Sequence, residues 1–182
     1  MNRLIVTICS LIFSLQVISQ NYIPVDNGSK VHFTIKNFGI STGGDLSGLK
    51  GTISFDPANL PSSDFNVSVD VKTIDTDSKS RDEHLVSQSY FDAEKYPVIL
   101  IKSTKINTTN KSNSSVYYFT GTLTMHGVTK NVAFPFTATP KGDDYLFSGD
   151  FEINRLDYSV GESSAILSKT VKVSLSVLAK KS

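Results

Sequence analysis

Apolar and polar residues alternate at period two along most of this chain. Val31, Phe33 and Ile35 are interleaved with His32, Thr34 and Lys36, and Phe65, Val67, Val69 and Val71 with Asn66, Ser68, Asp70 and Lys72. The rhythm returns at Phe119, Leu123 and Met125, at Val132, Phe134, Phe136 and Ala138, at Phe147, Phe151 and Ile153, and at Val171, Val173, Leu175 and Val177. Successive side chains of a strand point to opposite faces, so each stretch predicts a strand with one apolar and one wet face. Val98 to Ile106 begins apolar on both sides, which predicts that another part of the chain covers its outer face there.

The segments between the strands carry turn chemistry. Asp56-Pro57-Ala58-Asn59 and Lys141-Gly142-Asp143-Asp144 predict turns, and Asn107 to Ser115 a polar loop. Gly43, Gly44, Gly48 and Gly51 punctuate one long strand and predict sharp coiling at a barrel corner. Pro135 stands mid-strand on the wet face and has no N–H to donate, which predicts a bulge or a seam in the sheet. Helical pattern is confined to one short segment near 78–95, with a helix over Ser78–Ser89 and a further turn at Asp92–Lys95. The result is an all-β fold of about eight antiparallel strands, either an up-and-down barrel or a sandwich. In a barrel of that size the interior is either filled by side chains or holds one small ligand. The inward residues are large, with many of the 11 Phe among them, so periodicity alone predicts a filled core.

The first twenty residues break the pattern. Arg3 precedes an apolar run from Leu4 to Ile18, and small residues stand before a cut near Gln20, so residues 1–20 read as a signal peptide, too short for a stable transmembrane helix. Residues 21–182 then form a single domain, periplasmic or secreted, with no transmembrane segment. The one cysteine, Cys9, lies in the leader, so the domain is held by its core without disulfides. With Arg3 removed, 17 basic residues balance 17 acidic ones. No basic stripe offers itself to nucleic acid, which is discarded as a partner.

The densest chemistry is Arg81-Asp82-Glu83-His84-Leu85. An enzyme would use His84 as acid or base, with Asp82 or Glu83 orienting it and Arg81 holding an anion. That set is incomplete: there is no nucleophile elbow and no cysteine in the domain, and at helical spacing His84 points away from Glu83. His32, His84 and His126 are not paired at ligand spacing, so neither a metal nor another cofactor is expected. The competing reading is structural. Arg81 and Asp82 tie the helical segment across the barrel, Leu85 and Phe91 pack inward, and His84 hydrogen-bonds a neighbouring strand. Arg155 and His126 belong to the same latch, or these polar residues meet a ligand head group at the cavity mouth.

The motifs Val31-His32-Phe33-Thr34-Ile35-Lys36, Gly51-Thr52-Ile53-Ser54-Phe55-Asp56, Arg81-Asp82-Glu83-His84-Leu85, Phe91-Asp92 with Tyr96-Pro97, Gly121-Thr122-Leu123-Thr124-Met125-His126-Gly127-Val128-Thr129-Lys130 and Arg155-Leu156-Asp157-Tyr158 follow one another in order. In order and spacing the chain resembles the YceI-like family across essentially all of residues 21–182. One departure is Asn37, where many relatives carry histidine. The resemblance implies a lipocalin-like barrel of an exported bacterial protein, holding a long apolar chain such as a polyisoprenoid, an isoprenoid quinone or a fatty-acyl compound. Burial of a methylene gains about 0.8 kcal/mol, so a sixteen-carbon chain offers about 13 kcal/mol gross and an eight-carbon chain about 6. Association costs about 4–15 kcal/mol, so long chains are favoured. The expected lining is Phe33, Ile35, Val67, Val69, Leu85, Leu123, Met125, Phe134, Phe136, Phe151 and Val173. The expected function is binding, as carrier, sensor or sink, and not catalysis. The alternative is an exported lipid-modifying enzyme using His84 and nearby carboxylates. Self-association into a homodimer is left open by the sequence.

Overall fold

The computed structural model describes residues 20–108 and 115–182. Residues 1–19 of the leader reading and residues 109–114 of the polar loop lie outside the described residues. Eight strands run in order: β1 (Asn21–Asn37), β2 (Ile40–Ser54), β3 (Asp64–Asp75), β4 (Val98–Thr108), β5 (Val116–Met125), β6 (Val128–Lys141), β7 (Asp144–Asn154) and β8 (Leu167–Lys181). Each is antiparallel to its sequence neighbour, and β1 closes on β8 to complete a barrel. The choice between barrel and sandwich is thereby settled, and closure gives every strand a hydrogen-bonded neighbour on each side over at least part of its length. One helix, α1 (Lys79–Val86), and short 3-10 turns at Leu60–Ser62 and Arg155–Tyr158 complete the fold.

The barrel has two unlike ends. At one lie both ends of the domain, the β2–β3 connection and the Gly142-Asp143 turn. At the other lie the Phe38-Gly39 turn, the long β3–β4 segment with α1, the His126-Gly127 turn and the β7–β8 loop. Strand β2 bends where Gly48 and Gly51 take φ of +73° and +117°, and its register with β3 shifts between Asp45 and Lys50. Side chains other than glycine adopt such angles only under strain, which is why the corner falls on this stretch.

Pro135 produces a seam and no bulge. It pairs with Tyr118 in an uninterrupted β5–β6 ladder, whereas the β6–β7 ladder stops at Phe136 and Gly149, one residue away. A residue without an N–H does not extend that ladder. The gap left between the lower parts of β6 and β7 is filled by the Arg155–Tyr158 turn, whose Tyr158 packs with Leu123, Met125, Val128 and Val132.

The cover predicted for the outer face of β4 is not formed. Ile99 pairs with Val69 and Ile101 with Val67, so both isoleucines face inward with their partners. Val98 turns outward and stays 46% exposed. Helix α1 packs instead against β3 at the barrel mouth and buries no residue of its own.

Candidate functional site

The interior is neither wholly filled nor wholly open. At the end holding Gln20 and Ser182, Phe55 is 1% exposed and sits edge-on to Tyr117, Tyr145 and Phe147 at ring-centre distances of 5.1, 5.3 and 5.3 Å. Tyr22, Ile53, Phe65, Phe119, Phe134 and Phe136 join it in one packed cluster. From that plug Phe119, Phe134 and Phe151 stack in series at 4.9 and 4.5 Å, leading toward the other end. There most inward side chains are Val, Ile and Leu, and a cavity of about 510 Å³ opens.

All eleven residues expected to line a cavity do border it: Phe33, Ile35, Val67, Val69, Leu85, Leu123, Met125, Phe134, Phe136, Phe151 and Val173. Phe134 and Phe136 also belong to the aromatic plug and form the floor. The prediction of a filled core from periodicity holds for one end only. Period-two reading missed Ile99 and Ile101, whose phase is hidden in a doubly apolar run, and Leu46, Leu49, Tyr90 and Val160. The side chain of His32 points outward as read, its Nδ1 held 2.6 Å from Asp45 Oδ1, although the residue also borders the cavity from β1.

The polar residues gather at the mouth in two groups. In the first, the Asp82 carboxylate accepts from the Thr76 N–H at 2.9 Å and the Thr76 hydroxyl at 2.6 Å, anchoring α1 to the end of β3. Arg81 reaches across to donate to the Thr42 hydroxyl on β2. Beyond α1 the chain is tied back by backbone bonds from Phe91 to Leu85, Ala93 to Val86 and Tyr96 to Asp92, which bring Leu85, Tyr90 and Phe91 to the cavity wall. His84 does not hydrogen-bond a strand; it is exposed and packs its ring on Tyr90 at 4.7 Å. A helix of about two turns lying over the mouth leaves this side chain beside its own loop, against Tyr90.

The second group closes the β6–β7 seam. Arg155 is 4% exposed and spends its guanidinium on three backbone carbonyls: Nε donates to Ser168 at 3.0 Å, Nη1 to Val160 and Nη2 to Glu162, both at 2.8 Å. His126 Nδ1 lies 3.2 Å from the Tyr158 carbonyl, and its ring meets Tyr96 edge-on at 5.1 Å. Gly127 beside it takes φ +73°, and a Cβ there would meet the Tyr96 ring at 2.6 Å, so turn and ring fit only around glycine. Burial pushes the Tyr158 phenol above its ordinary range, with Asp157 adding to the shift. Arg81, His84 and Arg155 border the cavity; Asp82 and His126 stand behind that lining.

This arrangement can hold an apolar molecule. Among the described residues no hydrogen bond or ion pair joins His84 to a carboxylate, while His32 is held by Asp45 at 2.6 Å. No three His, Cys, Asp or Glu side chains gather for a metal among the described residues either.

An eight-stranded up-and-down barrel, plugged at one end and hollow at the other, is thus the class that fold and site define. The YceI-like domain matches residues 23–179, and the chain belongs to that family. It is 30% identical over 160 residues to a UPF0312 protein of Pseudomonas savastanoi pv. phaseolicola, covering 83% of this chain and 82% of the relative. A UPF0312 protein of Yersinia pestis is 29% identical over 154 residues, covering 81% and 78%. Among solved structures the chain is similar to BcnA of Burkholderia cenocepacia, with a TM-score of 0.79 and 26% identity over 86% of this chain and 99% of that one. It shares its fold with a polyisoprenoid binding domain from Saccharophagus degradans implicated in plant cell wall breakdown, at a TM-score of 0.70 and 14% identity, covering 88% and 98%.

Proposed function

We propose that this barrel holds one long apolar chain, a polyisoprenoid, isoprenoid quinone or fatty-acyl compound, as an exported carrier, sensor or sink. The observation that carries the reading is a dead-end cavity of about 510 Å³, walled by Val, Ile, Leu, Met and Phe and closed at its floor by packed aromatic rings. Its volume lies within the range of about 300–1,000 Å³ usual for ligand pockets. A dead end sets the orientation: the chain enters tail first, rests against Phe134 and Phe136, and leaves its head among Arg81, His84 and Arg155 at the mouth. Recognition by burial grades ligands by length, because each methylene adds about 0.8 kcal/mol. The polyisoprenoid binding domain of the same fold supports an isoprenoid as one such chain. The apolar run behind Arg3 supports placing the barrel in the periplasm or outside the cell.

Solvent extraction of the purified protein followed by mass spectrometry should return a long-chain compound in near-stoichiometric amount. Val173→Phe should narrow the cavity, leave the melting temperature unchanged or raised, and reduce chain retention, since added volume is neutral to stabilising where space exists. Repeated extraction of the unmodified protein that returned no chain would end this reading.

A further inference from the structure

The two most exposed large apolar side chains among the described residues stand together beside the cavity mouth, whereas Ile23, Val98 and Val116 are scattered singly. Phe38 and Ile40, at the β1–β2 turn, are 70% and 73% exposed, and Ile166 is 47% exposed. The three are tied into one patch, because the Phe38 N–H donates to the Ile166 carbonyl at 2.9 Å. Phe38 takes φ +50° in the two-residue turn Phe38-Gly39, a position that suits asparagine better than a bulky ring. The ring neither packs on the barrel nor eases the turn, so folding does not account for it.

Lys36 and Lys169 flank the patch, and neither enters an ion pair among the described residues. They border a shallow cleft with Arg155, Ser163, Ser164 and Ser168, and Arg155 and Leu167 line both this cleft and the cavity. Of the nearby acids, Asp157 already accepts from the Asn154 amide at 3.0 Å, and Glu162 is exposed on the loop.

We propose that this tip docks the barrel on an anionic lipid bilayer. Phe38, Ile40 and Ile166 enter the interfacial zone, Lys36 and Lys169 meet the head-group phosphates, and the mouth is set down against the lipid from which a chain is taken. Apolar wedges flanked by unpaired cations are what such a surface selects. The purpose of docking rests on the chain-holding function; the docking itself does not.

The test is co-flotation of the purified protein with vesicles of phosphatidylcholine alone or mixed with phosphatidylglycerol. The protein should float with the anionic vesicles and release in high salt. Lys36→Gln with Lys169→Gln should weaken that binding about thirtyfold. Phe38→Asn with Ile40→Ser should weaken it at least about tenfold while melting no lower than the unmodified protein, because the turn is relieved. Both variants should still take up a chain supplied in detergent. Equal flotation of all variants, or no flotation of the unmodified protein with anionic vesicles, overturns the proposal. So does a dimer in solution that Phe38→Asn converts to monomer, which would assign the patch to a second copy. Failure of the unmodified protein to take up a chain from detergent while it still floats with vesicles would sink the chain-holding function and leave docking standing.

Discussion

The two ends of this barrel share the same eight strands and the same alternation, yet one is solid and the other hollow. At the solid end the inward positions are Tyr22, Phe55, Phe65, Tyr117, Phe119, Tyr145 and Phe147; at the hollow end they are mainly aliphatic, with Ile35, Val69, Ile99, Val171 and Val173 around Phe33. The ring of strands closes at both ends except along the β6–β7 seam, which the Arg155–Tyr158 turn fills, so the space within is consumed where rings crowd it and left open where aliphatics predominate. The ends are also held differently. Packed aromatic edges hold the solid end, whereas the hollow end adds to the smaller cluster around Tyr158 and Val160 a set of polar ties in which Asp82 accepts from Thr76, Arg155 donates to loop carbonyls and His126 meets the Tyr158 carbonyl.

Truncation separates the ends most sharply. Phe55→Ala should cost about 3–5 kcal/mol, because it opens a void in the plug with no room to collapse. At roughly 2–4 °C per kcal/mol for a chain of this size, thermal denaturation should show a drop of about 6–20 °C. A smaller effect than at the hollow end would erase the distinction. Arg155→Ala should come next, at about 2–3 kcal/mol, since three inward carbonyls lose their donor but the loop can partly reopen to water. Hydrogen exchange should quicken in the β7–β8 loop and stay slow around Phe55. Arg155→Lys should not restore protection, because one ammonium does not replace three fixed donors. Val173→Ala at the hollow end should cost only about 1 kcal/mol, the transfer term of a side chain already beside empty space.

The smallest effect appears in alkali. Burial raises the phenols of Tyr22 and Tyr117 at the solid end and of Tyr158 at the hollow one. Each raised group binds its proton more firmly in the folded chain than in the unfolded one. The associated stability is therefore present below about pH 10, where unfolded tyrosine is still protonated, and is lost as pH rises through and past that value. Ultraviolet titration should find Tyr22, Tyr117 and Tyr158 ionising late, and Tyr158→Phe should remove one late-ionising phenol while leaving the pair at the solid end.

Much of this was legible along the chain. The strands follow from alternation because a strand with one wet face imposes period two, and the eleven lining residues are inward positions of those strands or, for Leu85, of the one helical segment. The short helix is real but shorter than its pattern, Lys79–Val86 against Ser78–Ser89, as its residues bury nothing and mark no docking face. Ile99 and Ile101 were illegible because a run apolar on both sides has no phase; pairing with Val69 and Val67 supplied it. The place of α1 was illegible for the same kind of reason, since Thr76 and Thr42 declare themselves as partners of Asp82 and Arg81 only once β2, β3 and the helix meet.

Local order along the chain thus determines strands, turns and which side chains point inward, because these depend on residues two to four apart. Tertiary closure decides how much space remains among those inward side chains, where the seam beside Pro135 opens and what fills it. Those properties belong to the ring of strands as a whole: a cavity is the volume that facing residues, distant in sequence, together fail to occupy.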